Sequence, residues 1–443
     1  MRAAGVVVVL AMIAGSSCQA DECQSFSAST MKANGAVAAA KWRVDYPPVR
    51  PNPSDPQPWE SIDFRAKPAD YMNAVLSTAK TSFKIADRKL VGTGQEEWWI
   101  SQWLDYGNSG REPLMGLTKE RGPDPGDLSK TNTPGSQVWA VGFYNRPGAA
   151  VFGEVFAEPC NPSFPVAMKF PNDTVSVKFL FTDASPDEVA YLQGAPEYDA
   201  FIDNLGAGSG GRDPSTRTIR SVRLLQVDIS VKDSAKAGRS LDTGWVFGTF
   251  VWRGPAKGDA LFDNLVPVSL QWGNDPGVYD GAIRESWINP DLRNVTYGWD
   301  QRLTMGFMGR ANGPADNIRS SCLSCHSAAR TPRASIGLLD SRFNMDDVAN
   351  PAKVKAHIDT WFQNIKGSQL FQPSEPAAST LDYSLQLEAA AFRMCLACQA
   401  GDLRGPTPTL CRSSSFYNRP VCNAPLEVSV RKRLLDLMPP PRQ

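Results

Sequence analysis

The stretch Thr174–Phe181, TVSVKFLF, decides how the fold is read. Val175, Val177, Phe179 and Phe181 stand two apart, and Thr174, Ser176 and Lys178 fill alternate positions. A period of two sends successive side chains to opposite faces, so the stretch predicts a strand with one face in a core. RLLQVDISV (223–231) repeats the pattern through Leu225, Val227, Ile229 and Val231. GWVFGTFVW (244–252) and NLVPVSLQW (264–272) are apolar on both faces, as covered strands are. NRPG (145–148), FPND (170–173), GSGGRDP (208–214) and RGPAKGD (253–259) are turn signals between them. Residues 136 to 275 thus predict a sandwich or a curved sheet.

Upstream, a helix is expected from Pro68, with Tyr71, Val75 and Leu76 on one face and proline in the first turn. EEWWISQWLDYG (96–107) carries three tryptophans, a core anchor or a stacking surface. Residues 45 to 61, DYPPVRPNPSDPQPWES, form a proline-rich extended lead-in. The first residues have the form of an export signal: Arg2, the ten-residue apolar run GVVVVLAMIA (5–14), then small residues ending at Ala20. Cys18 is the alternative, a lipid anchor, although Gly15 stands where a lipid-acceptor motif carries an aliphatic residue. No later run reaches the length of a spanning helix, so no transmembrane segment is expected in the mature chain.

The 443 residues carry 46 basic and 46 acidic side chains, so no global field draws the chain to nucleic acid or anionic lipid. The one dense basic run, Arg431-Lys432-Arg433, reads as a solvated helix end. No P-loop is present. The sequons at Asn172 and Asn294 read as chance matches.

After residue 300 the character changes. GRANGPADNIRSS (309–321) leads into Cys322-Leu323-Ser324-Cys325-His326, and the chain has only two histidines. This Cys-x-x-Cys-His spacing is the attachment signature of covalent haem c. Two cysteines three apart reach neighbouring vinyl groups of one porphyrin, and the next histidine supplies the proximal iron ligand. A redox disulfide or half of a zinc site are the competing readings. For the sixth iron position the candidates are His357, on the apolar face of a helix in PAKVKAHIDTWFQNIKG (351–367), and Met345, on a loop. For His357 a plain core role competes. Residues 352–366 and 381–394 read as helices.

Nine cysteines resolve once Cys18 and the motif pair are set aside. Cys23, Cys160, Cys395, Cys398, Cys411 and Cys422 remain for up to three disulfides of open connectivity. Cys395-Leu396-Ala397-Cys398 is followed by Gln399 rather than histidine, which makes it a poor haem site.

The expected organisation is α+β and multidomain. Residues 1–20 are a signal peptide and 21–65 the lead-in. A β-rich domain with an N-terminal helix covers 66–300, and a small α-helical cytochrome c-like haem domain with a cysteine-rich extension covers 301–443. The expected function is periplasmic single-electron transfer through one covalent haem c, with a redox protein as partner. A haem enzyme acting on a small nitrogen compound or peroxide, or a gas or redox sensor, is the alternative.

Six phrases together resemble a family of bacterial exported proteins described as cytochrome c domain-containing. They are GREPLMGLTKERGPDPG (110–126), QVWAVGFYNRPGA (137–149), TGWVFGTFVW (243–252), NLVPVSLQWGNDPG (264–277), NGPADNIRSSCLSCHSAA (312–329) and LDYSLQLEAA (381–390). The resemblance implies haem at Cys322, Cys325 and His326, with electron transfer as the default role. FPNDTVSVKFLF and GWVFGTF are also loosely similar to β-sheet c-haem proteins that oxidise hydroxylamine, whose haem is cross-linked to a lysine. That similarity points to Lys178 or Lys169 for the same part.

Overall fold

The computed structural model describes residues 45–48, 56–93, 97–101, 111–112, 117–120, 123, 127–129, 136–158, 161–165, 168–202, 218–233, 241–255, 261–292, 306–331, 343–371, 378–399 and 409–412. Residues 1–20 with Cys18, and also Cys23, Cys160, Trp103, Asn294, Cys422 and Arg431–Arg433, lie outside the described residues, as do the side chains of Met345 and Cys398.

A ten-stranded antiparallel sheet dominates the described residues. Its main path runs through β4 (Arg111–Glu112), β5 (Leu117–Lys119), β6 (Val138–Asn145), β7 (Val175–Thr182), β9 (Thr218–Lys232), β10 (Trp245–Trp252), β11 (Leu265–Gln271) and β12 (Ser286–Ile288). β3 (Trp98–Ile100) joins on β6, and β8 (Glu197–Ile202) joins the first half of β9. The hairpin β1 (Phe83–Ala86) and β2 (Lys89–Gly92) stands apart as its own two-stranded sheet. The β-rich expectation holds, as one large sheet.

The registers divide the side chains into two faces, because residues directly opposite in an antiparallel pair share a face. On the first face Val141, Phe179, Val227 and Phe250 lie in one row, and Phe143, Val177 and Ile229 in the next. All seven are buried in the largest apolar cluster. The expected first helix, α1 (Pro68–Lys80), places Tyr71, Met72, Val75, Leu76 and Ala79 in the same cluster. Their spacing gives a single apolar stripe, the pattern of a helix covering a sheet. Trp98 and Trp99 are buried, the anchoring role.

The second face is different in kind. One row reads Gly142, Lys178, Asp228, Thr249 and Ser269; the next reads Tyr144, Ser176, Ser230, Phe247 and Gln271. NRPG, expected as a turn, opens α2 (Arg146–Val155) instead. Asn145 caps it and Pro147 fits the first turn, where its missing N–H is not needed.

The chain after 306 covers this second face. It contains α3 (Cys322–His326), the short pair β13 (Arg330–Thr331) and β14 (Ser379–Thr380), a 3₁₀ turn at Met345–Ala349, α4 (Pro351–Trp361), α5 (Leu385–Gln399) and α6 (Thr409–Arg412). Leu323, Leu381, Leu387, Ala390 and Met394 share an apolar cluster with Tyr144, Val151, Phe152, Trp245 and Phe247. Among the described residues the motif turn thus packs against the sheet. α4 belongs to a separate small cluster of Phe307, Phe343, Val354, Ile358, Trp361, Phe362 and Phe371. The helix expected from 381 begins at Leu385, because Asp382 and Tyr383 adopt left-handed backbone, φ 44° and 71°. Cys395 and Cys411 form a disulfide joining α5 to α6. Among the described residues no helix is long and apolar enough to cross a membrane.

Candidate haem site

Ser321 starts the motif helix. Its hydroxyl accepts from Ser324 N at 3.1 Å, and the Ser324 hydroxyl accepts from Ser321 N at 2.8 Å. This reciprocal cap satisfies two backbone donors in a helix only five residues long. Within that turn Cys322, Cys325 and His326 stand at i, i+3 and i+4, one helical face. Leu323 points the other way, fully buried in the cluster shared with the sheet. The residue between the cysteines is thus the anchor, and Cys322, Cys325 and His326 are half-buried. Neither thiol is in a disulfide. Among the described residues no three His, Cys, Asp or Glu side chains converge as a metal site.

The polar residues of the second sheet face fasten this segment. Gln271 Oε1 accepts from Leu323 N at 2.9 Å, and Ser269 donates to Asn312 O at 3.3 Å. Gln226 Nε2 donates to Asp228 Oδ1 at 2.8 Å and to Asp316 Oδ2 at 3.0 Å, tying sheet to motif approach. Ser321 Oγ donates to Asn274 Oδ1 at 3.0 Å. The loop bearing Asn274 is held in turn by Arg310, fully buried, which donates to the carbonyls of Asn274 (2.7 Å) and Asp275 (2.8 Å) and lies over Phe362. Burial pushes its guanidinium down to about 10. At that value Arg310 stays charged at neutral pH.

His326 has a fixed orientation. Its Nδ1 lies 2.9 Å from Tyr383 O, and its ring sits 4.5 Å from that of Phe247. A carbonyl only accepts, so Nδ1 carries the proton and Nε2 keeps the lone pair. Burial pushes the imidazole down to about 4, so it is neutral at pH 7. A neutral imidazole with Nδ1 held by a backbone carbonyl is the state an iron ligand requires. The carbonyl itself sits on the left-handed pair Asp382–Tyr383, a conformation costing roughly 1–2 kcal/mol per residue.

Burial, and then the charges of Asp316 and Asp228, hold the Cys322 thiol far above its usual range. It is a neutral thiol, not a thiolate. Burial alone would lower the Lys178 ammonium, but Glu120, Asp228 and Asp316 raise it. Lys178 Nζ lies 3.3 Å from Glu120. Burial, reinforced by Asp316, pushes Asp228 up to about 7. Cys322, His326, Lys178 and Asp228 are half-buried, and the charges of Asp228 and Lys178 act on Cys322 and His326, which places the motif turn beside this row of the second sheet face. The row begins with Gly142, where a Cβ would collide with the Gln386 amide of α5.

This donor set fits a covalent haem: two thiols outside any disulfide and a neutral, oriented imidazole on one face of a turn. Of the two lysines considered, Lys178 is half-buried in the row beside the motif turn and Lys169 is exposed. His357 is buried in the separate cluster, stacked on Phe343 at 4.2 Å and edge-on to Phe307 and Phe362. Its Nε2 lies 2.8 Å from Arg319 O. That is the core role. Met345 lies on the 3₁₀ turn. Tyr383, Gln271, Gln226 and Asn274 were not legible as site residues. The signal available for Gln271 and Gln226 was their polar character inside otherwise apolar strands.

Comparison with family models, with curated proteins and with solved structures finds no match.

Proposed function

We propose that this chain is an exported haem c protein passing single electrons to and from a redox partner protein. One observation carries the reading: Cys322, Cys325 and His326 share one face of a capped turn, with His326 Nδ1 on the Tyr383 carbonyl. Cys322 and Cys325 would hold the haem by thioethers, and His326 would be its proximal ligand. The bound group supplies one-electron exchange between ferric and ferrous iron. The protein's own part is positioning: the sheet fastens the turn and Tyr383 fixes the imidazole. His357, engaged with Arg319 O and three phenylalanines, is a poor sixth ligand; Met345 stays a candidate.

A haem enzyme for a small nitrogen compound or peroxide is the second reading. What favours it is the acid–base character of the row beside the motif turn, Lys178, Asp228 and Thr249. Optical spectra of ferric and ferrous protein separate the readings. A six-coordinate low-spin iron inert to added cyanide and nitric oxide fits the carrier. A high-spin iron binding them rapidly fits the enzyme or a sensor.

A further inference from the structure

The Tyr383 carbonyl that meets His326 follows directly on Asp382 in the chain. Asp382 is completely buried, and its carboxylate accepts four hydrogen bonds. Lys232 Nζ donates to Oδ1 at 2.7 Å and to Oδ2 at 2.9 Å. Trp245 Nε1 donates to Oδ1 at 2.9 Å, and Phe170 N to Oδ2 at 2.7 Å. Lys232 also lies over the Trp245 ring, 5.1 Å from its centroid. Gly367 approaches so closely that any Cβ there would strike the Asp382 carboxylate. The Tyr383 hydroxyl donates to Ile365 O at 2.6 Å. Three separated parts of the chain, Phe170, β9 and β10, thus converge on a two-residue left-handed turn. A strained backbone persists only where its surroundings over-determine it.

We infer that Lys232, Asp382 and Trp245 form a positioning clamp that aims the Tyr383 carbonyl at His326 Nδ1 and so tunes the iron held at Nε2. This rests on His326 being the iron ligand. The clamp does not touch the iron; it acts through the imidazole. A firm Nδ1–H···O=C bond makes the ring a stronger electron donor, which favours ferric iron. Loosening the turn weakens that bond and favours ferrous iron.

The two charged members allow a clean test. Treated only as charges, they act oppositely: removing Asp382 favours the ferrous state and removing Lys232 favours the ferric. Acting as one clamp, both removals loosen the turn and favour the ferrous state. Full-length protein carrying Asp382→Asn or Lys232→Met is made with the haem-attachment machinery and titrated electrochemically. At a fixed potential, each variant is expected to raise the ferrous-to-ferric ratio about tenfold, a 59 mV shift for one electron. Lys232→Arg is expected to stay within about twofold of wild type. Opposite shifts in the two variants, or none, overturn the clamp.

Nitrogen-15 NMR of the full chain made without haem is the second measurement; its wild-type arm needs no variant, and His357 keeping its wild-type tautomer shows that a variant has folded. Only two histidines are present, so His357 serves as the internal reference. Wild type is expected to hold His326 as the Nδ1–H tautomer, and Asp382→Asn to give a mixture. An Nε2–H tautomer in wild type overturns the clamp. A tautomer that responds to Asp382→Asn in a chain that never accepts haem supports the clamp and overturns the haem reading.

Discussion

The two faces of the sheet are made by the same strands and do opposite work. The first is a continuous apolar surface in which Val177, Phe179, Val227, Ile229 and Phe250 pack against α1. The second carries Lys178, Asp228, Thr249, Ser269 and Gln271 and receives the Cys-x-x-Cys-His turn. Non-directional burial suffices to hold a helix on a sheet. Holding three reactive side chains in one orientation requires directional bonds, and the second face supplies them.

That contrast is sharpest for neighbouring residues of one strand. Phe179→Ala empties a fully buried site and is expected to destabilise the fold by about 3–5 kcal/mol, measured by denaturant unfolding. Lys178→Met, one position earlier, is expected to cost far less stability and instead to alter the spectrum and ligand binding of the loaded protein. Equal stability losses at the two positions would erase the distinction between the faces.

Gln271→Leu comes next in size. It leaves Leu323 N buried without its acceptor, at about 1–3 kcal/mol. Hydrogen exchange should quicken at the motif turn and leave the Val177–Phe179 backbone unchanged. Ser321→Ala removes the helix cap and is expected to cost about 1 kcal/mol, again confined to the turn.

A pH comparison probes His326 and Asp228 directly, in the chain without haem. His326 has a folded value near 4, below the ordinary imidazole value of about 6.5. Its contribution is intact above pH ~6.5 and is lost as pH falls toward 4, because the unfolded chain takes up the proton first. Asp228 has a folded value near 7, above the ordinary carboxyl value of about 3.9. Its contribution is complete below pH ~3.9 and is lost as pH rises through 7. Between pH 4 and 7 the two slopes oppose. His326→Gln should relieve the acid-side loss, and Asp228→Asn the loss toward neutrality, in unfolding curves at pH 4, 5.5 and 7.5. Parallel curves for both variants and wild type would remove these two groups from the account.

Much of this was legible in the residues. The alternation of TVSVKFLF put Val175, Val177, Phe179 and Phe181 on one buried face, where they lie. The two-sided apolar runs became covered strands, and Pro68 began a helix. The motif's chemistry was legible from its spacing, but its housing was not. Helical periodicity after 350 suggested a separate helical unit, yet Leu381 and Leu387 pack on Phe247 and Tyr144 of the sheet. LDYS read as helix because nothing local announces two left-handed residues. The cause lies 150 positions away, where Lys232 pairs with Asp382. Likewise Cys395–Cys411 was one of several pairings that spacing alone could not choose between.

The central claim is that the turn on the second face holds a covalent haem. Full-length protein should be produced alongside the haem-attachment machinery and digested, and the peptide containing Cys322–His326 examined by mass spectrometry and its reduced pyridine spectrum. The expected result is one haem per chain, joined through both cysteines of that peptide. Recovery of the peptide with two unmodified thiols, from a chain that folds normally, would contradict it.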